Sequence, residues 1–181
     1  MEFEILTTER LKLRKLTPEV FAYVFKNYTD KELMEFFGIA TATELEDEKI
    51  KFEKGISTYD KSFVYFQLID KLSHQIIGSC GYFTWYLRHN RAEIGYFLLD
   101  AASMQHGLMY EAITEIIRYG FTKMNLHRIE AFIEPSNEPS LKLIRKMSFK
   151  QEGHLKEHYF CNNTMEDSLV FSLLKKDSAI N

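Results

Sequence analysis

A strand–helix–strand pattern in the middle of the chain constrains the fold more than any other feature. Residues 92–100 (AEIGYFLLD) and 127–135 (HRIEAFIEP) have the composition of β-strands. Between them, apolar residues recur with a period near 3.6 from Leu108 to Met124, which predicts a helix with one apolar face. A helix of that length suits a crossover between parallel strands, and such crossovers are almost always right-handed. The pattern therefore predicts a mixed α/β sheet with a parallel pair inside it.

The flanking segments predict the other elements of a sheet of six or seven strands. A first helix is expected to begin at Thr17-Pro18, where threonine caps the helix and proline takes its first position. The spacing of Thr43-Glu44-Leu45-Glu46 is that of a capping box, which predicts a second helix from there to about Ile56. The remaining predictions are a short helix at 137–147 and strands at 6–16, 62–70, 75–87, 149–160 and 167–174.

The composition is that of one globular domain covering residues 1–181. The chain has 181 residues, of which 45% are hydrophobic, and this is enough for one sizeable core and too little for two. The net charge of −3 gives no basic face for nucleic acid, and no apolar run approaches the roughly 20 residues that span a bilayer. The N-terminus lacks the pattern of a signal peptide. We therefore expect a cytoplasmic protein that binds neither nucleic acid nor membrane, with Cys80 and Cys161 reduced.

Four stretches, in this order and spacing, are similar to one enzyme family. They are TERLKLRKLTPE from residue 8, RAEIGYFLLD from residue 91, a long run from GLMYEA at 107 to EGHL at 155, and MEDSLVFSLL from residue 165. Together they cover essentially the whole chain. They resemble the GNAT superfamily of acetyl-CoA-dependent N-acetyltransferases, and within it the RimJ/RimL group of protein N-terminal acetyltransferases and their polyamine-acetylating relatives. The resemblance implies a GNAT fold, in which the central parallel strands, here 93–99 and 128–133, part to admit the pantetheine arm of acetyl-CoA.

The resemblance also implies that the cofactor pyrophosphate lies at SMQHGLMYEA (103–112), where the crossover helix begins. A helix N-terminus offers about four unpaired N–H groups and roughly half a positive charge, which suit a phosphate without a cationic side chain. The family's central glycine is present at 107. Methionines replace the family's Arg/Gln at 104 and its Gly/Ala at 109. Gln105 or His106 could supply the side-chain contact that the Arg/Gln makes. The cofactor-binding residues implied here are Met104, Gln105, His106, Gly107, Leu108 and Met109.

Two further parts of a cofactor site follow from the resemblance. An asparagine that turns toward the cofactor arm falls on Asn137, which is also expected to cap the helix that follows it. The acid tyrosine of many relatives is replaced by Ile144. The RimL-like branch has a serine instead, which falls on Ser140. Ser140 is equally well explained as an ordinary residue of the first turn of the helix. The main-chain N–H that polarises the thioester carbonyl falls within Phe97, Leu98 and Leu99.

The candidate bases lie on two segments. Glu93 begins the central strand, and HLKEHYF (154–160), which lines the acceptor side in the branch, contributes Glu157, His158 and Tyr159. Each of these residue types is also common in purely structural or solvated positions. An N-terminal amine has a pKa of about 8, against about 10.4 for a lysine or polyamine amine. A weak base, acting through a water for example, is therefore enough to take the proton of an N-terminal acceptor.

The acceptor and the activity each leave alternatives open. We expect direct acetyl transfer in a ternary complex to a protein N-terminal α-amine, with polyamines or other small amines as the alternative acceptors. A GNAT-like module that binds acyl-CoA without catalysis is the alternative to an enzyme. The acidic run ELEDEK (44–49) is either a solvated helix face or a border of the acceptor cleft.

No metal is expected, and the protein is expected to act as a monomer or homodimer. His154, His158 and Cys161 have a spacing that suggests ligands, but their segment is predicted to be extended, which spreads the side chains over both faces. Cys80 is expected to be a buried strand residue rather than an acetylated intermediate.

Overall fold

The computed structural model describes residues 1–53, 61–99, 107–161 and 163–180. The strands within these ranges are β1 (Ile5–Thr7), β2 (Leu11–Leu16), β3 (Lys61–Asp70), β4 (Ile76–Tyr86), β5 (Arg91–Leu98), β6 (Arg128–Ile133), β7 (Lys150–Cys161) and β8 (Thr164–Leu174). The α-helices are α1 (Pro18–Asn27), α2 (Asp30–Phe37), α3 (Ala42–Glu53), α4 (Leu108–Thr122) and α5 (Glu138–Lys146). None of the helices in the described ranges is long and apolar enough to cross a bilayer.

The eight strands form one mixed sheet in the order β1-β2-β3-β4-β5-β6-β8-β7. Neighbouring strands are antiparallel except β5 and β6, which are parallel and are connected through α4. The parallel ladder contains only the pairs from Arg91–Arg128 to Glu93–Glu130, although β5 continues to Leu98 and β6 to Ile133. The predicted crossover and the splayed central strands are therefore confirmed.

A separate hydrophobic cluster covers each face of the sheet. Helices α4 and α5 pack on one face, where Ile113 and Ile116 are fully buried. Helices α1, α2 and α3 pack on the other face around the ring of Phe21. Successive strand residues alternate between the two, since Phe63 joins the second cluster and Val64 the first. Ligands can therefore approach the parted strands from two chemically different sides.

The predicted first strand, 6–16, is wrong in one respect, because it is a hairpin of two strands. The Thr8 N–H donates to the Leu11 carbonyl at 3.0 Å, and the Thr8 hydroxyl accepts from the Leu11 N–H at 3.1 Å. This turn separates β1 from β2 and raises the strand count from the expected six or seven to eight.

The helices before β3 also differ from the prediction. The Thr17 cap of α1 is confirmed, but α2 was not predicted, although Thr29 and Glu32 form a capping box at its start. The capping box of α3 joins Thr41 and Glu44 rather than Thr43 and Glu46. Threonines two residues apart offer the same spacing to a glutamate three residues on, so the pattern alone could not choose between them.

Candidate active site

Two cavities meet where β5 and β6 part. One, of about 500 Å³, lies on the α1–α3 side, and we call it the aromatic pocket. The other, of about 510 Å³, lies on the α4–α5 side, and we call it the α4 groove. Phe97, on the part of β5 beyond its last pair with β6, lines both cavities. The α4 groove is lined by Tyr96, Phe97, Leu98, Gly107, Leu108, Met109, Tyr110, Asn137, Pro139, Ser140 and Leu143.

The first turn of α4 opens onto the groove. Gly107 caps this helix with φ 73° and ψ 7°, a left-handed conformation that favours glycine, and no side chain of the described residues caps the turn. The guanidinium of Arg10, on the β1–β2 turn, lies 3.8 Å from where a Cβ on residue 107 would be and pairs with Glu111 at 2.8 Å. A cation therefore reaches this helix start from a distant segment, which the local sequence does not indicate. Met104, Gln105 and His106 lie outside the described residues.

The end of β5 presents backbone amides to the gap between the strands. The Leu99 N–H donates to the Ile77 carbonyl at 2.9 Å, which fixes the register of β5 against β4. N–H groups of successive strand residues point to opposite sides, so those of Leu98 and Tyr96 point away from β4, toward the side where pairing with β6 has ended. Of the three residues expected to polarise a carbonyl, Leu98 has this orientation.

Helix α5 brings polar groups to the opposite wall of the groove. The Asn137 Oδ1 accepts from the Ser140 N–H at 3.1 Å, which confirms Asn137 as a helix cap. Ile144 is fully buried in the core and is turned away from any such role. The Tyr96 hydroxyl, which sequence reasoning missed, is buried in the groove wall and has no hydrogen-bond partner among the described residues. Burial raises the pKa of Tyr96 to about 12. The nearby Ser140 hydroxyl opposes this shift, although the two hydroxyl groups are not placed to form a hydrogen bond.

Glu93 occupies the last paired position before the strands part, beside Glu130. Burial raises the pKa of Glu93, and the charge of Glu130 adds to this, whereas a hydrogen bond from the Tyr159 hydroxyl at 3.3 Å opposes it. Burial and the Glu93 charge raise the pKa of Tyr159 to about 12. Glu130 itself is ion-paired with Arg91 and Arg128. Glu93 is thus a carboxylate held partly out of water at the branch point of the sheet.

A bulge in β7 brings Tyr159 to Glu93. The register of β7 against β8 shifts between Leu155 and Tyr159, and Glu157 lies there at φ 48° with its N–H donating to Asp167 at 2.9 Å. The His158 ring packs 4.4 Å from the Tyr159 ring. The structure therefore brings Glu93, Tyr159 and His158 together, whereas Glu157 is exposed on the bulge.

Aromatic rings dominate the pocket on the α1–α3 side. The rings of Phe21 and Phe63 lie 5.5 Å apart, and those of Tyr65 and Phe83 stack at 5.1 Å. The Ser79 hydroxyl lines this pocket and, within the described ranges, has no hydrogen-bond partner. None of these residues was predicted as a site residue, because they come from several elements that pack together only in the fold.

His154 and Cys80 are residues at which the sequence suggests two other chemistries, metal binding and nucleophilic catalysis. The described residues contain no group of three His, Cys, Asp or Glu suited to a metal, and His154 instead bonds Asp167 at 2.8 Å. Cys80 is a free, fully buried thiol whose pKa burial raises, which does not suit a nucleophile.

Comparison with known proteins confirms the family that the sequence resembles. A family model described as the acetyltransferase (GNAT) domain matches residues 10–150. The protein named uncharacterized N-acetyltransferase p20, from Bacillus licheniformis, is 35% identical over 178 residues, which are 97% of this chain and 99% of that protein. The ribosomal protein uS5-alanine N-acetyltransferase of Escherichia coli is 30% identical over 118 residues, 64% of this chain and 60% of that protein. A dodecameric structure of spermidine N-acetyltransferase from Vibrio cholerae has a TM-score of 0.66 at 20% identity, covering 92% of this chain and 95% of that chain. The chain belongs to the GNAT family and is an N-acetyltransferase.

Proposed function

We propose that the protein transfers the acetyl group of acetyl-CoA directly to the α-amine of a protein or peptide N-terminus, as the RimJ/RimL-like resemblance suggests. The observation that carries the proposal is the meeting of two cavities at Phe97, on opposite sides of the parted strands. A donor in the α4 groove and an acceptor in the aromatic pocket would approach each other across this residue. Direct transfer needs no acetylated enzyme, which agrees with the buried state of Cys80.

The α4 groove suits the cofactor. The N–H groups of the first turn of α4, which no described side chain caps, favour an anion such as a pyrophosphate, and Arg10, paired with Glu111, lies beside them. Lys146 lies over the Tyr110 ring at 4.1 Å and adds a second cation near the groove. Asn137 has its amide nitrogen available for the pantetheine arm, because its Oδ1 is the atom that caps α5.

The proposed chemistry assigns one role to each group. The amine nitrogen attacks the thioester carbonyl carbon, the C–S bond breaks, and its electron pair stays on the sulfur. The Leu98 N–H polarises the carbonyl oxygen, and Glu93 takes the amine proton through a water, with Tyr159 positioning Glu93. The Ser140 and Tyr96 hydroxyls, which line the groove, stabilise the departing thiolate by donating hydrogen bonds to it, and the thiolate then takes a proton from water.

The charge of the aromatic pocket favours an α-amine over a polyamine as the acceptor. Of the acidic run 44–49, Glu48 lines the pocket, and it forms an ion pair with Lys51, which also lines it. A polyamine carries several ammonium groups, and binding them in an apolar pocket without matching carboxylates costs desolvation free energy. An α-amine, with its lower pKa, presents more of the neutral form at physiological pH.

Release of the CoA thiol from acetyl-CoA tests the proposal. We expect turnover with peptides that have a free N-terminus, no turnover when the same peptides are blocked at the N-terminus, and weak turnover with spermidine. Mass spectrometry should locate the acetyl group on the α-nitrogen. CoA should also raise the unfolding temperature, because a ligand at about 100 times its Kd adds roughly 2.7 kcal/mol to the free energy of unfolding.

Each contrary result has a distinct meaning. Faster turnover with spermidine than with any peptide would replace the proposed acceptor by a polyamine. CoA binding without turnover on any amine would indicate a module that binds acyl-CoA without catalysis. If the protein showed neither CoA binding nor turnover, the assignment of the α4 groove to the cofactor would be contradicted.

A further inference from the structure

The aromatic pocket has features that the transfer reaction itself does not need. Its volume of about 500 Å³ is far larger than an amine requires, and aromatic rings from α1, α2, α3, β3, β4 and β5 make up nearly half of its lining residues. The rings of Phe21 and Phe37 lie 5.2 Å apart, so they pack on each other and hold the wall in place. A largely apolar cavity of this size is suited to an apolar group of the ligand.

The polar groups of the pocket are few and specific. Glu48 and Lys51 are paired with each other at the pocket wall, and Gln67 donates to the Phe36 carbonyl at 2.8 Å. The Ser79 side chain differs from these, because it is 5% exposed, lines the pocket, and has no hydrogen-bond partner in the described part of the chain. A buried hydroxyl without a partner is costly, which indicates that a ligand atom supplies one.

We propose that this pocket selects acceptors whose first residue has a large apolar side chain, such as leucine or phenylalanine, with the Ser79 hydroxyl bonding a polar atom of the same acceptor. This inference rests on the proposed function, since it assumes an N-terminal α-amine as the acceptor. It differs from what the names of the relatives suggest, because a uS5-alanine acetyltransferase acts on a small residue. An alanine methyl group would leave most of this pocket unfilled.

The test compares short peptides that differ only at the first residue, which is alanine, serine, leucine or phenylalanine. We expect kcat/KM for the leucine and phenylalanine peptides to exceed that for alanine by roughly 10- to 100-fold, the effect of burying such a side chain. Leu99, 55% exposed at the pocket wall, gives the informative variant, since Leu99→Trp should fill the pocket without disturbing the core. It should bring the leucine-to-alanine ratio close to one. The ratio is the readout, because a general loss of activity cancels in it.

Matched controls separate the pocket from the fold. Leu72, 93% exposed on the β3–β4 turn, gives Leu72→Trp, which should keep the ratio of the unchanged protein. Ser79→Ala should lower kcat/KM for the preferred peptide by ~2- to 10-fold with no fall in unfolding temperature, because it removes a hydroxyl that lacks a protein partner.

The outcomes distinguish this inference from the function on which it rests. Equal or better turnover of alanine and serine peptides, with no effect of Leu99→Trp on the ratio, would overturn the pocket assignment and keep the N-terminal acceptor. If Leu99→Trp changed the preference among acetyl-, butyryl- and hexanoyl-CoA but not the preference among peptides, the pocket would bind the acyl group of the donor. This result would also overturn the assignment of the pocket to the acceptor. Turnover of polyamines alone would contradict the proposed function itself.

Discussion

At the scale of single residues, the site is defined by polar groups that the fold holds partly out of water. Glu93 is kept beside Glu130, and its pKa is raised, because the branch point of the sheet lies between the two hydrophobic clusters. A carboxyl group whose pKa is higher in the folded than in the unfolded state destabilises the fold once it is ionised. The molecule therefore carries Glu93 at a cost in stability, which is typical of a residue retained for function.

Replacement of Glu93 by glutamine should separate activity from stability. We expect Glu93→Gln to lower kcat/KM by roughly 10²- to 10⁴-fold, the range for loss of a general base. Its unfolding temperature at pH 7 should equal or exceed that of the unchanged protein. This difference should disappear as the pH falls through the raised pKa of Glu93, because the unchanged carboxyl group is then neutral as well.

The control for this prediction is Glu46→Gln, at an exposed position of α3. It should change neither kcat/KM nor the unfolding temperature. If Glu93→Gln lowered the unfolding temperature together with the activity, Glu93 would be a structural residue rather than the base.

At the scale of elements, α4 determines the geometry of the groove, and one close contact fixes its position. A Cβ on Gly120 would lie 2.1 Å from the Tyr82 hydroxyl, which itself donates to the Ile116 carbonyl at 2.8 Å. Tyr82 is fully buried, so its ring has no free space into which to move. The helix that carries Gly107 is thus located on the sheet by a tyrosine under its C-terminal half.

The change Gly120→Ala should therefore destabilise the protein although alanine favours helices. The helix propensity gain is about 1 kcal/mol, whereas overpacking a buried contact costs about 1–3 kcal/mol. Urea unfolding should show a net loss, and CoA binding should weaken because the first turn of α4 is displaced. In a Tyr82→Phe background the loss should be smaller, since the clashing oxygen is absent.

The exposed Thr122, near the end of the same helix, supplies the control. Thr122→Ala should change the free energy of unfolding by no more than about 0.5 kcal/mol. A stabilising Gly120→Ala would show that α4 is free to shift on the sheet.

The elements also show what the sequence could and could not predict. The crossover helix and the cap at Thr17 were predictable because periodicity and capping are local. Helix α2 was missed, since it has only eight residues, of which four are charged, and its apolar stripe after the capping box at Thr29 is short. Arg10, Tyr96 and Ser79 could not be assigned to a site, because their roles depend on which elements meet in space. The resemblance to the family predicts site positions on β5, α4 and α5, and Arg10 and Tyr96 lie beside the same groove.

At the scale of the whole molecule, the two faces of the sheet differ in how firmly they are covered. Helix α4 buries eight residues against its face, whereas α3 buries only Leu45 against the other. Because local opening follows the number of buried contacts, the α3 amides should exchange with solvent faster than the α4 amides, on the order of 100-fold or more. Hydrogen exchange measured by mass spectrometry checks this ordering.

Ligands should then protect the two faces separately. An acceptor peptide should slow exchange in α3, because Glu48, Lys51 and Phe52 line the aromatic pocket. CoA alone should slow exchange in the first turn of α4 instead. Equal exchange rates of the α3 and α4 amides in the free protein would contradict the prediction that α3 opens more readily than α4.

The early end of the β5–β6 ladder gives the molecule a sheet edge in the interior of its sheet. An edge at the border of a sheet can pair with any extended chain, and such pairing leads to aggregation. Here β4 and β8 occupy the outer sides of the two strands, and helices pack on both faces of the sheet, so this edge lies inside the molecule rather than at its border. The backbone groups of β5 beyond Glu93 are therefore unpaired with β6 in the interior of the sheet, and they add nothing to its outer edges.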